Sequence, residues 1–179
     1  GSETLTYTNS SSFNNKNVGT GKTVTVDSIT LADGNNGGLA SNYSITPGQT
    51  TTANITAKSL IISGIIAASK TYNGSTSATL DTSAILYSGL IPGDIFDGSY
   101  TGAFSNANVG TGKTVTITSS YTGADVSNYS ITNQTSTTAD ISAKALTATA
   151  SASNKTYNAT NSASVTLTSV SYTHLRAHE

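Results

Sequence analysis

The chain has no cysteine, methionine or tryptophan, and only 9% of its 179 residues are charged. Without cysteine, disulfides and thiolate metal sites are excluded. The net charge is -1, so no basic surface is available for a nucleic-acid backbone. No apolar run approaches the roughly 20 residues that a membrane-spanning helix needs. We therefore expect neither a nucleic-acid partner nor membrane insertion.

Hydrophobic residues are also scarce, at 35%, against a usual share of about 45–50%. Serine, threonine, asparagine, glycine and alanine dominate instead, a composition that could indicate disorder. The regular placement of valine, isoleucine, leucine and tyrosine argues against disorder. Small β-modules with thin cores fit both observations.

One short motif, NVGTGKTVTV at Asn17, ends like a phosphate-binding loop and returns as NVGTGKTVTI at Asn108. That loop has the pattern G-x-x-x-x-G-K-[ST] and leads into a helix. Lys16 and Ala107 stand where its first glycine should be, and the residues that follow alternate as in a β-strand. We interpret the motif as a glycine turn that feeds a strand.

This interpretation assigns a backbone role to the glycines of the motif. They should supply a positive φ or allow a close approach of chain segments. The lysine after the second glycine, Lys113 in the second copy, should be an exposed side chain. The glycines concerned are Gly19, Gly21, Gly110 and Gly112.

Internal repeats organise the whole chain, with a period of about 85 residues. The matching pairs are SNYSIT at Ser41 and Ser127, TTANITAK at Thr51 with TTADISAK at Thr137, and KTYNG at Lys70 with KTYNA at Lys155. We predict a complete repeat over 59–144. Residues 1–58 then match the back half of a repeat and residues 145–179 match the front half.

Within the repeat the local signals are all those of strands. Apolar residues alternate with polar ones, and clusters of glycine, asparagine, aspartate and proline separate the runs. No segment has a capped helical period. We predict an all-β fold of small antiparallel β-modules in tandem, one complete and two partial. The apolar positions on the inner side are Leu60, Ile62, Ile66, Ala68, Val115, Ile117, Tyr129, Ile131, Ala139 and Ile141.

The order KTYNG, GLIPGD, AFSNANVGTGKTVTI, SNYSIT and TTADISAK resembles the YDG repeat of large bacterial adhesins and the related MBG domains. The resemblance covers nearly the whole chain. It departs at the signature, because the usual aspartate is Asn73 here and Asn158 in the next copy, where Ala159 also replaces glycine. The resemblance therefore implies no role for a carboxylate at this position, and a turn accepts asparagine as well as aspartate.

The resemblance implies an extracellular, cell-surface stalk module that is not an enzyme and uses no cofactor, with the export signal and any anchor outside this segment. Neighbouring repeats of the same chain would be its partners. The alternative is a glycan- or ligand-binding β-module that presents aromatic platforms. Its candidate residues are Tyr87, Tyr100 and Tyr121.

No catalytic, cofactor-binding or metal-binding residue is assigned. His174 and His178 have a helical metal-ligand spacing at the end of the chain, and Asp94 and Asp97 could contribute to a calcium site, but a solvated turn explains the aspartates more simply. Lysine–asparagine isopeptide bonds occur in some adhesins, and the candidate donors in this chain are Lys22, Lys70 and Lys113. Sequons for glycosylation stand at Asn42, Asn54, Asn73, Asn128 and Asn158, most of them by chance.

The two ends of the chain are expected to differ from the central repeat. We interpret SYTHLRAHE, 171–179, as a foreign or artefactual tail, with a native strand as the alternative. The back half at the start and the front half at the end should expose sheet edges. We expect them to pair head-to-tail between molecules and to be less stable than 59–144. Val170, Tyr172 and Leu175 would then stand where Ile85, Tyr87 and Leu90 stand.

Overall fold

A computed structural model describes residues 1–169, and within that range the fold is all-β. The helical elements of this range are two single 3-10 turns, Ala40–Asn42 and Val126–Asn128. None of the described helices is long and apolar enough to span a bilayer. Val170, Tyr172, Leu175, the two histidines and the 171–179 tail lie outside the described residues.

The strands are short and mostly two to eight residues long. In chain order they are β1 (Thr6–Phe13), β2 (Gly19–Ala32), β3 (Thr50–Ile55), β4 (Lys58–Ser63), β5 (Ile66–Ala67), β6 (Lys70–Thr71), β7 (Ser77–Ala78), β8 (Leu80–Asp81), β9 (Leu86–Ser88), β10 (Asp97–Phe104), β11 (Gly110–Thr122), β12 (Tyr129–Thr132), β13 (Ser136–Ser142), β14 (Ala148–Ala152) and β15 (Val165–Ser169).

These strands form several small sheets rather than one large sheet. The orders are β1-β2-β3, β6-β13-β11-β10-β7 and β12-β4-β9, with two-stranded sheets β14-β15 and β5-β8. Most neighbours are antiparallel, as expected. Two pairs are parallel, however: β12 with β4, and β13 with β6. Both parallel pairs bring the start of the 59–144 segment against its end, which hairpin connections alone cannot do.

Strands that carry matching sequence also have matching register. Phe13 lies opposite Val24 in the β1–β2 hairpin, and Phe104 lies opposite Val115 in the β10–β11 hairpin. The bulge that interrupts the pairing of β2 with β3 recurs in the pairing of β11 with β13. The hairpin β14–β15 repeats the register of β5–β8. The boundaries proposed from sequence at 58 and 144 stay a prediction.

The buried hydrophobic residues lie between Leu60 and Ile141 and form two clusters. One contains Leu60, Ile62, Ile65, Ile117 and Tyr129. The other contains Ala67, Phe104, Val115, Ala139 and Ile141. The alternation predicted for β11, β12 and β13 is thereby confirmed, with Ile131 packed at the edge of the first cluster.

The inner positions predicted after Ile62 are wrong by one residue. Ile65 and Ala67 are buried, whereas Ile66 and Ala68 are exposed. Gly64 lies between β4 and β5 with φ +88°. A positive φ breaks the pleat, so the residues after it change faces.

The two glycines of each NVGTGK motif have different roles. The second supplies a positive φ, and the first allows a close approach. Gly21 and Gly112 have φ +59° and +57°, at the bulges. Gly110 instead allows a close approach, since a Cβ there would lie 3.3 Å from Cδ of Lys113. Lys113 is half-buried, which corrects the expectation of an exposed side chain.

Replacing Gly112 with valine should lower the free energy of unfolding by roughly 1–3 kcal/mol, because a β-branched residue is strained at positive φ. Gly112→Asn is the matched control and should cost less, since asparagine visits this region. Urea denaturation of the purified chain measures both. Equal stability of the valine variant and the parent would contradict the role assigned to the bulge.

Candidate functional site

The tip of the β1–β2 hairpin contacts the far end of the 59–144 segment through one lysine and two aspartates. Nζ of Lys16 lies 3.2 Å from Oδ1 of Asp94 and 3.0 Å from Oδ1 of Asp125. The lysine side chain is 69% exposed, whereas the two carboxylates are only 12% and 11% exposed. We call this contact the joint, since it connects the first sheet to the segment that follows.

The two carboxylates of the joint are held in place by the segment that carries them. The hydroxyl of Tyr129 donates to Oδ2 of Asp94 at 2.6 Å, and the backbone N–H of Ile95 donates to Oδ2 of Asp125 at 2.9 Å. The bond from Ile95 and then the Lys16 ammonium lower the pKa of Asp125 below its usual 3.8. Both carboxylates are therefore held in place by bonds that do not involve the lysine.

Backbone contacts extend the joint beyond the ion pairs. The N–H of Val18 donates to Oδ1 of Asn128 at 2.9 Å, and Val18 is half-buried. Nδ2 of Asn128 also donates to Oδ1 of Asn17 and to Oδ1 of Asp125, at 3.4 Å each. The joint thus combines ion pairs with a directional backbone bond, and such a combination restrains orientation better than charge alone.

Part of the same arrangement recurs in the first copy of the sequence. There the hydroxyl of Tyr43 donates to Oε2 of Glu3 at 2.7 Å, just as Tyr129 donates to Asp94. This bond raises the pKa of Tyr43 above its usual 10.0. The first copy therefore repeats the tyrosine–carboxylate bond of the joint, whereas Leu39 stands where the joint has Asp125.

The KTYNG loop is closed by its lysine. Nζ of Lys70 donates to Oδ1 of Asn73 at 3.1 Å and to the carbonyls of Ser75 and Ser77 at 2.6 and 2.9 Å. Three bonds satisfy the three protons of an ammonium group. Nζ also lies 5.1 Å from the ring centroid of Phe104, within the range of a cation–π contact.

The next copy of the loop is closed in the same way. Nζ of Lys155 donates to Oδ1 of Asn158 at 3.1 Å and to the carbonyls of Thr160 and Ser162 at 2.7 Å each. The signature asparagine is thus a hydrogen-bond acceptor for the loop lysine. An aspartate could accept the same bond.

The three lysines considered for isopeptide bonds each contact an asparagine. Lys113 donates to Oδ1 of Asn106 at 2.7 Å, and Lys22 donates to Asn15. The described partners of Lys70 are amide and carbonyl oxygens. These lysines act as hydrogen-bond donors that shape loops.

The tyrosines proposed as glycan platforms pack partly against the core. Tyr87, Tyr100 and Tyr121 are half-buried against the first core cluster. Tyr87 and Tyr121 pack around Phe96, with ring centroids 5.6 and 5.3 Å from it. Burial and the bond to Tyr87 raise the pKa of Tyr100.

The other candidates are placed as follows. Asp94 pairs with Asp125 around Lys16 rather than with Asp97, which is exposed. Within residues 1–169 no group of three potential ligands could hold a metal ion. Four of the sequon asparagines accept hydrogen bonds at the joint, at a bulge or in the lysine-closed loops. They are Asn54, Asn73, Asn128 and Asn158.

Sequence reasoning missed Lys16, Asp125 and Asn128 as partners. One signal was available: Lys16, which immediately precedes the first motif, has an alanine as its counterpart in the second copy. A lysine that is present in only one copy indicates a contact outside the repeated hairpin.

The geometry defines an all-β protein of small sheets, whose loops are closed by lysine–asparagine bonds. The YDG domain family matches residues 1–53 and 56–139. The chain belongs to this family. Searches for similar curated proteins and for similar solved structures found no match.

Replacing Lys16 with methionine should loosen the joint without unfolding either side, because the lysine tip is exposed and the carboxylates keep their other bonds. The measurement is hydrogen exchange of the Val18 amide, which should become faster. Lys22→Met is the matched control, since Lys22 bonds within its own hairpin. Unchanged exchange in the Lys16 variant would mean that the ion pairs do not hold the joint.

The protection of the Val18 amide from hydrogen exchange should also be lost at both low pH and high pH. The lowered pKa of Asp125 gives a contribution that is present above 3.8 and is lost as the pH falls through the folded value. Hydrogen bonds to Asp125 and Asp94 raise the pKa of Lys16 above 10.5, so its contribution is lost as the pH rises through the folded value. Between these limits the joint should be intact.

Replacing Asn73 with aspartate should raise the free energy of unfolding by roughly 0.2–1 kcal/mol, because the bond to Lys70 becomes charge-assisted. The gain should shrink in high salt. Urea denaturation of a double-mutant cycle with Lys70→Met measures it. The same gain in the methionine background would show that the lysine is not the partner.

Proposed function

We propose that the chain is a structural stalk or spacer repeat of a bacterial cell-surface adhesin, outside the cell and without enzymatic activity. The observation that carries this proposal is the joint, in which Lys16 lies between two nearly buried carboxylates. A spacer has to transmit orientation from one repeat to the next. A connection with fixed charges and a backbone bond does so, whereas a glycine–serine linker would not.

The strand arrangement supports the same proposal. β4 and β12 are parallel and lie near the start and the end of the 59–144 segment. Tension on the two ends slides such strands along each other, so their hydrogen bonds must break together rather than one at a time. The segment is therefore suited to resist extension.

The alternative, a glycan- or ligand-binding β-module, needs aromatic rings that are free to stack. The three tyrosines proposed for that purpose are half-buried against the core. The spacer proposal uses the joint and the parallel strands, and it needs none of these rings to be accessible.

Single-molecule pulling on the full chain between handles tests the proposal. We expect a discrete unfolding event with a contour-length gain of roughly 25–30 nm, the length of the 59–144 segment when extended. Leu60→Ala, at a fully buried position, should lower the unfolding force, whereas Leu167→Ala at an exposed position should not. Featureless extension without such a step would exclude a mechanical role.

A further inference from the structure

The asparagine of the KTYNG loop stands directly before a glycine, whereas its counterpart in the next copy stands before an alanine. The two pairs are Asn73–Gly74 and Asn158–Ala159, and all four residues are exposed. A backbone nitrogen that follows asparagine can attack the carbon of the side-chain amide. A Cβ on the attacking residue hinders this approach, so glycine favours the reaction.

Both residues that follow the asparagine have a positive φ. The angle is +77° at Gly74 and +56° at Ala159. A Cβ at Gly74 would have no neighbouring atom within 4 Å. Solvent therefore reaches the backbone beside Asn73, and the chief chemical difference next to the two asparagines is one methyl group.

The amide carbonyl of Asn73 accepts hydrogen bonds from two donors. Nζ of Lys70 and the backbone nitrogen of Ser75 each lie 3.1 Å from Oδ1. Donors in this position stabilise the negative charge that develops on a carbonyl oxygen when a nucleophile adds to its carbon. The ammonium group is itself held by the carbonyls of Ser75 and Ser77, so it is positioned before any reaction.

Other asparagines of the chain share the lysine bond but not the glycine. Oδ1 of Asn158 accepts from Lys155 at 3.1 Å, as Asn73 does from its own loop lysine. Asn15 and Asn106 also accept from lysines, and they precede a lysine and an alanine. Among the described residues, Asn73 is the asparagine that both accepts from a lysine and precedes a glycine.

We propose that Asn73 is a self-modification site, at which the side-chain amide is converted into a carboxylate with the ammonium of Lys70 as the electrophilic group. The nitrogen of Gly74 gives its proton to a solvent base and forms a bond to Cγ of Asn73. The bond from Cγ to Nδ2 then breaks, Nδ2 takes up a proton, and ammonia leaves behind a succinimide ring.

Water opens the ring and completes the conversion. When water adds to Cγ, the bond between Cγ and the nitrogen of Gly74 breaks, the nitrogen regains a proton, and Asn73 has become aspartate. When water adds to the main-chain carbonyl carbon instead, the chain continues through Cγ as isoaspartate. In both cases one water is taken up and one ammonia is released, with no oxidant or reductant.

The aspartate product keeps an acceptor oxygen beside Lys70 and adds a negative charge. The neutral bond between Nζ and Oδ1 becomes charge-assisted, which strengthens it. Because ammonia is lost to the solvent, the change is not reversed. The KTYNG loop therefore becomes more tightly closed as the protein ages, whereas the KTYNA loop keeps its amide.

Mass spectrometry tests the site on the full chain, incubated in heavy-oxygen water at neutral pH and then digested in ordinary water. Conversion before digestion leaves heavy oxygen in the product, which separates it from conversion during digestion. We expect Asn73 to convert several-fold faster than Asn158. Equal rates at the two sites would overturn the proposal.

Exchanging the residue after each asparagine tests the cause. Gly74→Ala should slow conversion at Asn73 to near the rate at Asn158, and Ala159→Gly should accelerate conversion at Asn158 several-fold. Alanine is compatible with the positive φ of this loop, as Ala159 shows. Rates that do not follow the glycine would reject the backbone nitrogen as the nucleophile.

Variants of the loop lysine test its part in the reaction. Lys70→Met should slow conversion at Asn73 several-fold because a donor to Oδ1 is lost, whereas Lys70→Arg keeps a charged donor and should slow it less. Asn36 also precedes a glycine but donates through Nδ2 to the carbonyl of Ser2, so its rate should not change and serves as the internal control. Unchanged or faster conversion at Asn73 in the methionine variant would show that the lysine does not promote the reaction.

Discussion

The parallel pairing of β4 with β12 is the contact on which the rest of the structure depends. It joins residues 58–61 to residues 129–132, which are far apart in sequence. Leu60 and Tyr129, both in the first core cluster, come from these two strands. Closing so long a loop costs chain entropy, which local hairpins do not recover. The burial of this cluster has to offset that cost.

Tyr129 connects this closure to the joint. Its ring is buried in the first core cluster and contacts Phe96 with centroids 6.2 Å apart. Its hydroxyl accepts the N–H of Ile91 and donates to Asp94, one of the two carboxylates that hold Lys16. The core therefore fixes the position of the charged group that the neighbouring hairpin contacts. Packing and the orientation of the joint are set by the same side chain.

The strands could be predicted from sequence because they depend on local alternation, and Val115, Ile117 and Ile141 are buried as expected. The change of faces at Gly64 could not be predicted, since a glycine gives no sign of whether its φ is positive. The joint was missed for a different reason. Lys16 and Asp125 are far apart along the chain, and only the fold brings their charges together.

Asparagine and aspartate stand at equivalent positions of the two bulges and accept the same bond. Oδ1 of Asn54 accepts the N–H of Gly21, and Oδ1 of Asp140 accepts the N–H of Gly112 in the corresponding bulge. A backbone donor needs only an oxygen, so either side chain serves at the bulge.

The joint imposes a stricter requirement. There two nearly buried carboxylates share one ammonium group, and their partners Tyr129 and Ile95 hold them as acceptors. An amide at Asp94 or Asp125 would keep an acceptor oxygen but would remove the charge that attracts Lys16. In a chain with so few charged residues, charge is needed where two segments meet, whereas loops and bulges need only hydrogen-bond geometry.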